Sequence, residues 1–96
     1  MLDNITLGRN TKISHVHRSN KHYLCLCTGA PYPLKYHTAR NKQNAVKILK
    51  ELQELHQLTI DFGVNIELQH RPDDRSLLLH LYRQRQDLIG ANARKG

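Results

Sequence analysis

A chain of 96 residues holds one domain with a thin core, in which folding removes roughly 60 to 65 per cent of the unfolded surface from water. With 39% hydrophobic residues, one Phe and no Trp, that core must rest on Leu, Ile, Val and a few Tyr, and no run approaches the roughly 18 apolar residues of a membrane helix. The net charge of +7 suits an anionic partner, and the start MLDNITLGRN lacks the pattern of a signal peptide, so a cytoplasmic protein is expected, with no membrane association.

In chain order, residues 1–11 read either as a flexible arm or as an extra edge strand. Residues 12–18, KISHVHR, and 22–28, HYLCLCT, are β-rich and separated by Ser19, Asn20 and Lys21, which predicts a hairpin. If Ser19 and Asn20 form a two-residue turn, His17 lies opposite His22, His15 opposite Leu24, Ser14 opposite Cys25 and Val16 opposite Tyr23. Histidines and cysteines then occupy opposite faces, and the expectation is that the cysteine side packs while the histidine side is displayed. The turn GAPYP leads into a third short strand, LKYHT.

From Asn41 the period changes to 3.6. Ala45, Ile48, Leu49, Leu52, Leu55, Thr59 and Phe62 share one helical face, with Asn41 as cap, Gly63 as the terminating residue, and Lys47–Glu51 and Lys50–Glu54 as i, i+4 pairs on the exposed side. VNIELQH alternates, which places Val64, Ile66 and Leu68 inward. RPDDRSLLLHLYRQRQDLIG predicts a second helix, opened by Pro72 and the two aspartates, closed by Gly90, and carrying Leu78, Leu81, Tyr82, Leu88 and Ile89 as its core stripe. Residues 91–96 read as a frayed basic tail. The fold class is α+β: a small antiparallel or mixed sheet, order β-β-β-α-β-α, with two helices packed on one face and the other face free.

The cluster SHVHRSNKHYLCLC has the residue types of a metal site but not its spacing. Cys-Leu-Cys is not the C-x2-4-C of zinc sites, and cysteines at i and i+2 on a strand lie too far apart to bridge. A three-histidine site of His15, His17 and His22 is geometrically conceivable, but the expected state is without metal or cofactor, with reduced thiols and histidines on a cationic sheet face.

The charges are unevenly distributed. Residues 4–50 contain no Asp or Glu, while Arg9, Lys12, Arg18, Lys21, Lys35, Arg40, Lys42, Lys47 and Lys50 contribute +9. Solubility needs magnitude of charge but does not need acids excluded from half a chain. The leading expectation is therefore a nucleic-acid-binding module, with Lys12, His15, His17, Arg18, Lys21, His22, Lys35, Tyr36, His37, Arg40 and Lys42 meeting the anionic partner, and Tyr23, Tyr32 or Tyr36 available to stack on bases. Three antiparallel strands before a helix, in a basic context, resemble in layout the sheet-reading DNA-binding domains at the N-termini of some integrases. No RNA-recognition aromatic signature, GxxG clamp or zinc-finger spacing accompanies them.

Two other readings stand beside it. One is an adaptor docking on an acidic protein, with the Leu- and Tyr-rich LLLHLY of the second helix as anchor or as a homodimer seam. The other is a nuclease using His15, His17, His22 or His37 as general acid and base; against it, residues 4–50 offer no carboxylate to orient a histidine, and no catalytic residues are assigned.

Overall fold

In the computed structural model, residues 4–27 and 34–94 are described, apart from the side chains of residues 93 and 94. The GAPYP turn and Tyr32 lie outside the described residues. The elements are β1 (Asn4–Leu7), β2 (Lys12–Arg18), β3 (Lys21–Cys27), β4 (Leu34–Ala39), α1 (Lys42–Phe62), β5 (Ile66–Gln69) and α2 (Asp74–Arg94). The six expected elements are present in order in an α+β fold, and the N-terminal segment supplies a fifth strand. The strands form two antiparallel sheets, β2-β3-β4 and β1-β5, because β5 pairs with β1 and not with the hairpin.

The hairpin has the expected two-residue turn. Ser19 and Asn20 both adopt left-handed φ, 50° and 62°, as the turn that matches strand twist requires, and every expected pair is found, His17 with His22 and Val16 with Tyr23 among them. Between β3 and β4 the register shifts: His37 faces Leu24 but Lys35 faces Cys25, leaving Tyr36 as the extra residue of a bulge. Alternation fails at that point, so Tyr36 and His37 are both buried although they are consecutive.

α1 begins and ends as its sequence signals. The Asn41 side chain accepts from the Asn44 N–H at 2.8 Å, and Gly63 closes the helix at φ 66°, ψ 35°. Ala45, Ile48, Leu52, Leu55 and Thr59 are buried along one face, packing with Leu24, Leu26 and Ala39 of the larger sheet, Ile5, Leu7 and Leu68 of the smaller one, and Leu77 and Leu81 of α2. The i, i+4 pairing is replaced by a contact between helices: Arg85 of α2 lies 3.1 Å from Glu51 and 3.7 Å from Glu54.

α2 differs from its reading in two respects. Asp73 caps it, accepting from the Ser76 N–H at 2.8 Å, but Gly90 does not close it; the helix continues to Arg94, through the segment read as a frayed tail. A glycine costs a helix only about 1 kcal/mol, and Ala91 and Ala93 favour its continuation. The buried stripe is Leu77, His80 and Leu81, with Leu78 and Leu88 partly buried, while Tyr82 and Ile89 face solvent together with Leu79. His80 belongs to the inward face because its Nε2 accepts the Gln69 N–H at 3.0 Å, joining α2 to the end of β5. Among the described residues, no helix is long and apolar enough to cross a membrane.

Candidate functional site

The two sides of the larger sheet are chemically different, and the leucines decide which side is which. On β3, His22, Leu24 and Leu26 share one parity and are buried beneath α1; Lys21, Tyr23, Cys25 and Cys27 share the other. The expected division is therefore reversed. The histidine side packs and the cysteine side faces outward, because Leu24 and Leu26 carry more apolar area to the core than two half-buried cysteines.

Strand pairing assembles the outward face. Lys12 lies opposite Cys27, Arg18 opposite Lys21, Cys25 opposite Lys35, and Tyr23 between Val16 and Thr38. Lys12, Arg18, Lys21 and Lys35 are exposed, and Lys35 Nζ stands 5.6 Å from the centre of the Tyr23 ring. None of these cations is within ion-pair distance of a carboxylate among the described residues. Arg40 and Lys42 are exposed where β4 passes into α1, and the first turn of α1 contains no acid.

The remaining residues expected at the interface lie elsewhere. His15, His17 and His22 are on the helix-covered side, where they touch one another: His15 Nε2 and His22 Nδ1 share a hydrogen bond of 3.0 Å, and the rings of His17 and His22 stack 4.2 Å apart. His17 at the sheet margin is exposed, His15 half-buried and His22 only 7% exposed. Burial, then the neighbouring His17 and His15 and the Lys42 ammonium, hold the His22 imidazole below its ordinary basicity. Among the described residues, no three His, Cys, Asp or Glu side chains are arranged to hold a metal ion.

Tyr36 and His37, 2% and 3% exposed, are likewise not on the outward face; the bulge turns both inward, where they line a cleft. The Tyr36 hydroxyl is buried without a hydrogen-bond partner, and burial pushes its phenol far above the ordinary range. His37 gains what the N-terminal half of the chain lacks. Its Nε2 donates to Asp74 Oδ1 at 2.6 Å, and Asp74 Oδ2 accepts from the Arg40 N–H at 2.9 Å and Asn44 Nδ2 at 2.7 Å. Desolvation alone would raise the Asp74 carboxyl, but these donors outweigh it and hold the group below the usual carboxylate range.

A cleft of about 360 Å³ opens along β4, lined by Lys35, Tyr36, His37 and Thr38, by Ile5 of β1, and by His70 and Pro72 from the segment before α2. The His70 ring is 6.5 Å from that of His37 and edge-on to Tyr36 at 6.3 Å. His70 was not among the residues expected from the sequence, because neither motif nor spacing relates it to His37. Comparison with known protein families, characterised proteins and solved structures finds no match.

Proposed function

We propose that this protein is a nucleic-acid-binding module that lays the outward face of β2-β3-β4 against a phosphate backbone. The observation that carries the reading is the placement of Lys12, Arg18, Lys21 and Lys35 on the same face as Tyr23, with Lys35 beside its ring, on strands that contain no carboxylate. The lysines and arginine supply charge that releases counterions from the polyanion, and Tyr23 supplies a ring for an unpaired base to stack on. On this reading affinity rests on charge met by the phosphate backbone. A cytoplasmic location belongs to the same proposal, supported by the charge and by Cys25 as a free thiol.

The test is binding of mixed-sequence DNA and RNA across a salt series. If the four cations each meet one phosphate, the slope of log K against log salt is about −3 to −4 on duplex DNA. A slope near zero, or no binding at low salt, sinks the reading.

A second reading, docking on an acidic protein, is favoured by one observation. Leu79, Tyr82 and Ile89 are 49%, 48% and 39% exposed at helical spacing on α2, which suits a hydrophobic anchor. Co-purification from the host at moderate salt, with half the sample nuclease-treated, separates the two: a protein partner that survives nuclease supports the second.

A further inference from the structure

We infer that the cleft between His37 and His70 cleaves RNA by general acid–base catalysis, with the basic face holding the strand whose phosphodiester enters it. This inference rests on the nucleic-acid reading above and adds a reaction to it. Three observations carry it. Lys35 and Thr38 belong to the outward face by their pairing with Cys25 and Tyr23, yet both also line the cleft, so the basic face and the cleft are continuous. The two imidazole ring centres stand 6.5 Å apart on the lining of one cleft, near enough to act on a single phosphodiester. Asp74 Oδ1 accepts a hydrogen bond from His37 Nε2–H at 2.6 Å, which leaves Nδ1 as the nitrogen that acts as a base, and stabilises the imidazolium once that nitrogen has accepted a proton.

Among the described residues, the lining of the cleft carries two imidazoles and an ammonium but no carboxylate, a set suited to moving protons about a phosphate. RNA carries its own nucleophile for such a site in its 2′-hydroxyl. His37 Nδ1 takes the 2′-hydroxyl proton as the bond from the 2′-oxygen to phosphorus forms. The bond from phosphorus to the 5′-oxygen breaks, and protonated His70 gives its proton to that leaving oxygen. The products are a 2′,3′-cyclic phosphate and a 5′-hydroxyl, with no change of oxidation state. Lys35 stabilises the charge that gathers on the non-bridging oxygens. Asp74 is a positioning residue, because it acts through His37.

The experiment incubates the full-length protein with a short single-stranded RNA, the same strand carrying one 2′-deoxyribose, and a fully 2′-O-methylated strand used only to measure binding. Cleavage that leaves cyclic phosphate ends, stops at the deoxyribose, and falls at least about 100-fold in His70→Ala while binding of the methylated strand stays within about twofold is the expected result. His70→Gln, checked for an unchanged melting temperature, gives the same loss where the alanine variant is poorly folded. Intact RNA in the presence of bound methylated strand overturns the cleavage and leaves the binding module standing. Failure to bind any of the strands at low salt overturns the reading of the basic face itself. Cleavage undiminished in both variants, or equally fast across the deoxyribose, overturns the assigned chemistry.

Discussion

His37 Nε2 donates to Asp74 Oδ1 across 2.6 Å, joining the middle of β4 to the first residue of α2. The side chains are 2% and 10% exposed, so the bond is shielded from water, and the same carboxylate draws in the backbone of Arg40 and the side chain of Asn44. One acidic residue thus fastens the end of the larger sheet, the start of α1 and the start of α2 together. Asp74→Ala leaves the buried His37 N–H without its acceptor and is expected to cost about 2 to 3 kcal/mol in urea unfolding.

The same site sets an acid limb. The folded Asp74 carboxyl is held below its ordinary value of 3.8, so the unfolded chain binds the proton more readily. Its contribution is present above that value and is lost as pH falls through the folded one. Unfolding midpoints measured from pH 5 to pH 2.5 fall in the wild type and fall less in Asp74→Asn.

A second pH dependence lies nearer neutrality. His22 is held below its ordinary value of 6.5 by burial, His17, His15 and Lys42, so the unfolded state takes up protons that the folded state refuses. Stability is greatest above 6.5 and declines as pH falls below it toward the folded value. His22→Leu removes the buried imidazole, and the loss of stability between pH 7.5 and pH 5.5 becomes shallower. A variant with the wild-type slope would contradict this origin.

Which sheet face packs is tested by paired substitutions on β3. Leu24 is completely buried, and Leu24→Ala is expected to cost about 3 kcal/mol through lost contacts and a residual cavity. Cys25, next in sequence but on the outward face, is expected to cost under about 1 kcal/mol as Cys25→Ser. The reverse ranking in chemical denaturation would exchange the two faces.

Gly90 sits within α2, and a Cβ added there meets no heavy atom within 4 Å. Gly90→Ala is therefore expected to stabilise the protein by about 0.5 to 1 kcal/mol, chiefly by restricting the unfolded chain. A lower melting temperature would mean that the helix breaks at this residue.

The basic face predicts a graded salt response. Lys21→Ala removes one cation from the outward surface and is expected to reduce the salt slope of duplex binding by about 0.9, while Lys47→Ala on α1 leaves it unchanged. Equal effects from both substitutions would indicate diffuse attraction rather than a face.

Local physics was legible in the residues themselves. The Ser19–Asn20 turn set the hairpin register, the 3.6 period from Ala45 to Thr59 set α1, and Asn41 and Gly63 set its ends, because each depends on spacing within a few residues and on local backbone preferences. The separation of histidines from cysteines followed from the same register. Which of the two faces packed was also within reach, since Leu24 and Leu26 share the parity of His22.

Other features depended on partners distant in sequence. The bulge at Tyr36 buries two consecutive side chains because the sheet must meet β1 and the segment before α2, and local alternation does not anticipate it. Pairing of β1 with β5 is a choice among edges, and the inward stripe of α2 is turned by the contacts of His80 with Gln69 and of Arg85 with Glu51. The absence of carboxylates from residues 4–50 spoke against an oriented histidine, yet Asp74, 37 residues beyond His37, supplies the carboxylate. The sequence by itself determined six of the elements, both caps of α1 and the charge of the N-terminal half. Only the tertiary structure decided what that charge surrounds, because hydrogen bonds and clefts form between side chains that packing brings together, whatever their separation along the chain.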